Sequence, residues 1–322
     1  MKLRSISLPL VLCGVMAGCG ATDDNDDKTA ASTALDCTGA EIPGVQGCAD
    51  PARYEADLLA VAGARGVGTE HYTAVQKLIQ DRMQELGYTV ELHAYGEGTN
   101  ILATKAGSKA ADELVIVGAH YDGVPNCTAA DDNASGVAGA LEVARLLATS
   151  SPERTLMFAF WDAVLDFEPI GYFSKQPDSQ QIAPGFDFVF PIVKTMMDEN
   201  GKAGDFITLV YDTKSDPAIA ALGAAAKQLG LPSAPLLLDD AMLTAASLGD
   251  LRRSDHAAYW MAGYPAVMIT DTANFRNTHY HCQEGEDSAD RLDHDAATRV
   301  VHATAVGGFG TRATGPRTPE SA

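Results

Sequence analysis

Short, mostly apolar runs recur along this chain with helix-patterned stretches between them, and that alternation restricts it to a small set of folds. Residues 114–118, 155–161, 206–211 and 266–270 are dominated by Val, Ile, Leu, Phe and Met, as strands buried on both faces are. Residues 54–64 and 72–86 repeat apolar side chains at helical spacing, the second stretch ending at Gly87 in a C-cap position. Residues 132–148 give the clearest helix, and 89–94 and 100–105 read as two further strands. The pattern predicts an α/β fold with a mainly parallel sheet covered by helices on both faces.

At 322 residues and 46% hydrophobic composition the chain can bury a sizeable core. A formal net charge of −20 disfavours nucleic acid and anionic lipid surfaces. No apolar run reaches the length of roughly 18 residues that spans a bilayer, so a polytopic membrane protein is excluded. No repeat or internal linker is visible, which predicts one domain over 51–310 and a loose tail over 311–322.

The first residues read as an address. Lys2 and Arg4 precede a short apolar stretch that ends Met16-Ala17-Gly18-Cys19, and this layout resembles a bacterial lipoprotein signal. The resemblance implies cleavage of residues 1–18, lipidation of Cys19, and an exported lipoprotein anchored to a bacterial membrane, periplasmic or at the cell surface. Residues 19–50, with Asp23, Asp24, Asp26 and Asp27, then form an acidic flexible tether. Four cysteines remain. They allow two disulfides: Cys37 and Cys48 bracket one loop, whereas Cys127 and Cys282 lie beside two candidate ligand segments; free buried thiols are the other reading.

In open α/β sheets ligands sit beyond the carboxyl ends of the strands. His120 and Asp122 follow the run 114–118, and an Asp two residues on can accept the second imidazole N–H of a metal-bound His and fix its tautomer. The segment Ala130-Asp131-Asp132-Asn133-Ala134-Ser135-Gly136 opens the clearest helix with carboxylates, which serve either as caps or as rigidly held oxygen ligands.

Gly118-Ala-His-Tyr-Asp122 followed by Ala130-Asp-Asp-Asn-Ala-Ser-Gly136 resembles the M28 family of zinc aminopeptidases. So do Ser254-Asp-His256-Ala-Ala-Tyr-Trp260, Tyr264-Pro-Ala-Val-Met-Ile-Thr-Asp271 and Arg276-Asn-Thr-His-Tyr-His281. The resemblance covers about residues 54–306 and implies a mixed sheet between helices, two zinc ions, peptide substrates and metal-assisted hydrolysis. Transferred by position, it implies His120 on the first zinc, Asp131 bridging both, His281 on the second, Asp122 orienting His120, and Tyr280 helping to polarise the scissile carbonyl. His279 and His281 would share a strand face, and the family pattern alone selects His281. His71, His93, His294 and His302 have no constellation around them.

One departure stands out. Members of the family carry a Glu-Glu pair after a strand like 156–162, the first Glu a general base and the second a zinc ligand. Here Phe158-Ala-Phe-Trp-Asp162-Ala163 runs directly into Val164-Leu-Asp-Phe-Glu168-Pro-Ile-Gly-Tyr172. The second half resembles a later strand end, which assigns Glu168 to the first zinc and leaves Asp162 or Asp166 as substitutes for the absent pair. If both pieces stayed in one strand, Glu168 would travel about 20 Å past Asp162 at ~3.3 Å per residue and overshoot the site. Either the chain turns sharply near Ala163 and still delivers Glu168, or the local sheet is rearranged and the metal site is damaged. The sequence therefore supports a zinc-dependent aminopeptidase, with a catalytically impaired relative that keeps the fold and at most one ion and acts as a binding protein as the alternative, and glutaminyl cyclase chemistry on a related fold as the third.

Overall fold

The computed structural model describes residues 37, 45, 47–95, 98–161 and 168–310. The leader, most of the tether and the tail 311–322 lie outside them, as do Asp162 and Asp166. The described fold begins a little before residue 51. Ala49 is buried in the main core, and the Cys48 carbonyl accepts from Arg145, so the last residues of the expected tether belong to the fold.

Helix α1 (Pro51–Val61) starts at an Asp50 cap and buries Tyr54, Leu58 and Val61 on one stripe. Helix α2 (Glu70–Glu85) is capped by Thr69 and buries Tyr72, Val75, Ile79 and Met83. Strands β1 (Thr89–Tyr95), β2 (Gly98–Lys105) and β3 (Ala110–His120) follow. Helix α3 (Gly136–Leu147) comes next, buried at every position but Arg145, and β4 (Arg154–Trp161) completes a four-stranded sheet of order β1-β2-β4-β3. In that sheet β3 and β4 are parallel, while β1–β2 and β2–β4 are antiparallel.

The second half begins with helices α4 (Phe186–Val189) and α5 (Pro191–Glu199). Strand β5 (Ile207–Asp212), helix α6 (Asp216–Gln228) and strand β6 (Ser233–Leu238) form a parallel crossover. Helix α7 (His256–Met261) and strand β7 (Val267–Thr270) follow, with β7 antiparallel to β5, giving a three-stranded sheet of order β6-β5-β7. Helix α8 (His294–Gly310) closes the described chain. The architecture is the mixed α/β arrangement that the sequence predicts, with parallel and antiparallel pairings in both sheets.

Two elements differ from expectation in ways that shape the site. The helix expected from residue 132 begins only at Gly136. Ahead of it Ala130–Ser135 forms an irregular turn in which Asp132 (φ −105°, ψ 92°) and Asn133 (φ −134°, ψ 40°) leave helical geometry. Asp287 Oδ2 accepts from the N–H groups of both Asp131 and Asp132, and Asn133 Oδ1 accepts from Gly136 N–H, so side chains satisfy the donors that a regular helix start would leave open. The segment carrying Tyr280 and His281 is a short helical turn rather than a strand, because His281 and Cys282 both hold φ of 57°.

Among the described residues, no helix is long and apolar enough to cross a membrane.

Candidate metal centre

The register of β3 and β4 places His120 opposite Trp161 at the carboxyl end of a parallel pair, the end where α/β sheets bind ligands. His120 Nδ1 lies 3.0 Å from Asp122 Oδ1, and its Nε2 lies 3.2 Å from Asp132 Oδ1. The other oxygen of the same carboxylate, Asp132 Oδ2, lies 2.8 Å from His281 Nε2. Donor atoms of His120, Asp132 and Glu168 all fall within 4.8 Å of one another. Glu168 is thus delivered to the site despite the short connection from β4.

Burial and the neighbouring charges act on these groups in opposite directions. Burial works against a charged His120, but its hydrogen bonds to Asp122 and Asp132 and the nearby Asp132 and Glu168 charges hold its pKa well above the ordinary histidine value. Burial alone would raise Asp132, yet the hydrogen bonds and charges of His120 and His281 keep it well below the usual carboxylate range. Glu168 is raised by burial and by Asp132, partly offset by His120. Asp255 is pushed up to about 7 by burial, with His120 opposing and Glu168 and Asp122 adding to the rise.

Asp131 does not take the place assigned to it. Its Oδ1 accepts from Gly171 N–H at 3.2 Å and its Oδ2 from Asn277 Nδ2 at 2.9 Å, so the bridging position between the two histidines belongs to Asp132. Asp131 is fully buried; burial first, then the Asp271 and Asp287 carboxylates, raise its pKa well above the usual value. The two neighbouring acids point in different directions because the turn leaves helical geometry at Asp132. Gly171 is needed behind it: a Cβ there would stand 3.0 Å from Asp131 Oδ1 and 2.9 Å from Leu292.

Tyr280 stacks on His281 with ring centroids 3.9 Å apart, and the Arg253 guanidinium lies 5.9 Å from the Tyr280 centroid. Burial, then Asp132 and Glu168, raise the Tyr280 phenol above its ordinary pKa, so it stays protonated. His279 sits apart, its Nδ1 bonded to the Glu286 carbonyl. His71, His256 and His294 each bond a backbone carbonyl, and His302 Nδ1 accepts from Ala49 N–H.

Three further features support the site, and of these the sequence offered only the disulfide as a possibility. Asp287 organises the turn that presents Asp132. Arg65, wholly buried, donates to the carbonyls of Tyr121, Thr128 and Ala129 and so fixes the loop between His120 and Asp132. Cys127, in that loop, is joined to Cys282 beside His281, across 155 positions of sequence; Cys37 and Cys48 are joined as well. An arginine among small residues and an acid six positions after His281 are faint clues without coordinates.

The donor set of two imidazoles and two carboxylates, with His120, Asp132 and Glu168 grouped together and His281 on the other oxygen of Asp132, suits zinc. The orientation of His120 by Asp122 is what a metal-bound histidine requires.

Comparison with known proteins decides the family. The profile of Peptidase family M28 matches residues 100–306, well over half of the chain. The chain belongs to peptidase family M28. The uncharacterized protein YfbL of Escherichia coli (strain K12) is 31% identical over 223 residues, which cover 58% of this chain and 64% of YfbL. A probable lipoprotein aminopeptidase, LpqL of Mycobacterium tuberculosis (strain ATCC 25618 / H37Rv), is 38% identical over 117 residues, 33% of this chain and 23% of LpqL. The chain therefore spans less than two thirds of either relative. The LapA aminopeptidase of Legionella pneumophila superposes with a TM-score of 0.56 at 14% identity, over 82% of this chain and 73% of LapA, a likeness of fold. For this M28 member, all the motifs that carried the resemblance lie within the matched residues or at the described site.

Proposed function

We propose that this chain is a zinc-dependent exopeptidase of the aminopeptidase type, acting on peptide substrates. One observation carries the reading: both oxygens of the Asp132 carboxylate are engaged by imidazole Nε2 atoms from segments about 160 residues apart in sequence, with Glu168 beside them. Membership of M28 and the name borne by LpqL support it. His120, Asp132 and Glu168 would hold one ion, and Asp132 with His281 a second. When bound, zinc supplies Lewis acidity toward the scissile carbonyl and lowers the pKa of an attacking water. Asp122 holds the Nδ1 proton of His120, leaving Nε2 free as a ligand once its own proton is lost. Tyr280 keeps its phenolic proton and offers it as a hydrogen-bond donor at the rim of the site. Export as a lipid-anchored protein completes the proposal, supported by the Cys19 leader and by two disulfides, which persist in oxidising compartments.

A second reading is favoured by a feature of the sequence itself: no adjacent Glu pair lies between Trp161 and Glu168. On that reading the protein holds zinc and binds peptide ends without turning them over. Metal analysis of the purified protein, run beside an assay on aminoacyl-p-nitroanilides, separates the two. Zinc with turnover establishes the peptidase; about one zinc per chain and no turnover establishes the binding protein; no zinc at all ends both.

A further inference from the structure

A cavity of about 370 Å³ opens on the candidate centre, with Glu168 and Tyr280 in its wall. Its interior is built from Phe186, Phe190, Met197, Leu236, Met268 and Phe275. The floor is one face of the three-stranded sheet. Strand β5 alternates, sending Ile207, Leu209 and Tyr211 into the main core and Val210 into the cluster around the cavity. Thr208 lies on the cavity side of that alternation and lines the cavity. It is 3% exposed, and its hydroxyl has no hydrogen-bond partner among the described residues. Opposite it across the β5–β7 pair, Thr270 Oγ1 accepts from Thr272 N–H.

A buried hydroxyl without a partner is costly, and an apolar cavity with a few convergent polar groups is the common form of a small-ligand site. The register also sets how far this hydroxyl lies from the chemistry. Asp271 N–H donates to the Pro169 carbonyl at 2.7 Å, which ties the residue after Glu168 to the end of β7, and Thr208 stands one strand further on.

We propose that this cavity is a subsite for a hydroxyphenyl side chain, with Thr208 as the specificity-determining residue that pairs with the phenolic hydroxyl of a tyrosyl substrate. The inference rests on the exopeptidase reading for the orientation of the substrate, its amino-terminal residue entering past Glu168 and Tyr280. An aromatic ring is at home against Phe190, Phe275 and the two methionines. A leucyl or phenylalanyl group would fill the same space and leave the Thr208 oxygen dry. A seryl group would satisfy a hydroxyl but leave the apolar walls uncovered.

The test is calorimetric binding of L-tyrosine, L-phenylalanine and L-leucine to the zinc-loaded full-length protein and to its T208V and T208S variants, beside turnover of the matching p-nitroanilides. T208V keeps the shape and exchanges an unpartnered buried hydroxyl for a methyl group, so folding is not at stake. The expected result is tyrosine bound about 3- to 10-fold more tightly than phenylalanine by the wild type, the size of one hydrogen bond. That preference disappears in T208V, with phenylalanine affinity unchanged, and survives in T208S. Equal affinities in the wild type, a preference that persists in T208V, or no amino-acid binding would overturn the assignment. Turnover of leucyl substrate without a tyrosine preference sinks this subsite and leaves the exopeptidase standing. A Thr208-dependent tyrosine preference without turnover supports the subsite and removes the hydrolytic reading.

Discussion

Asp131 and Asp132 are the same side chain in consecutive positions, both buried, yet they do opposite work. Hydrogen bonds from two imidazoles hold the Asp132 carboxyl well below the usual range, while burial first, then the Asp271 and Asp287 carboxylates, push Asp131 up. D132N is therefore expected to lower zinc affinity by more than about 100-fold, since loss of an outer hydrogen-bond partner alone typically costs 10- to 100-fold. D131N turns one of the two oxygens that accept from Gly171 N–H and Asn277 Nδ2 into a donor, so it should cost about 1–3 kcal/mol of folding stability while lowering zinc affinity far less than D132N does. Zinc titration with a competing chelator and denaturant unfolding check both; equal zinc loss in the two variants would return the bridging role to Asp131. D122N is expected to weaken zinc about 10- to 100-fold by releasing the His120 tautomer. Residue types and spacing brought out His120 and Asp122 in the sequence, and the family resemblance added Glu168 and His281. Transfer by position chose Asp131 over Asp132, a choice that depends on backbone angles at one turn.

The elements that carry these ligands are a strand end, an irregular turn and a helical turn, and none is held by its own propensity. His281 and Cys282 both occupy left-handed backbone geometry, which costs side-chain-bearing residues roughly 1 kcal/mol or more each and persists only where the surroundings enforce it. The bond from Cys282 to Cys127 supplies that enforcement, linking the loop after His120 to the turn bearing His281. Breaking it by C282S should cost about 2–4 kcal/mol in unfolding free energy. It should also weaken zinc by at least about 10-fold as His281 loses its fixed direction. A zinc isotherm for C282S that overlays the wild type would show that the turn holds itself. Apolar periodicity in the sequence showed six of the seven described strands and three of the eight described helices, α1 to α3. It misplaced the start of α3 because acids ahead of an apolar helix read as its first turn, whereas Asp287 accepts from the Asp131 and Asp132 N–H groups and Asn133 Oδ1 accepts from Gly136 N–H, so the helix begins at Gly136. Strand β6 escaped notice because only alternate residues of its run are buried.

Across the whole molecule, burial of titratable groups sets a pH dependence. His256 is buried with Nε2 donating to the Leu251 carbonyl, and burial lowers its pKa to about 4. In the unfolded chain the same imidazole titrates near ~6.5. Between these values the unfolded state binds a proton that the folded state does not, so stability rises with pH. Stability is fully present above about pH 6.5 and falls by ~3 kcal/mol as pH drops to about 4. H256Q should lack that part of the slope, measured as the difference between denaturant unfolding curves of the two proteins from pH 4 to 7; parallel curves would place His256 outside the acid response.

The sequence by itself determined the layered α/β fold, the family and most of the ligand candidates, because burial periodicity and short motifs are local properties written in residue order. Only the tertiary structure decided which carboxylate stands between the two histidines, that Glu168 reaches them, and that Thr208 faces a cavity. Each of these depends on where segments far apart in sequence meet, and meeting is governed by packing and hydrogen bonds among groups that residue order alone does not bring together.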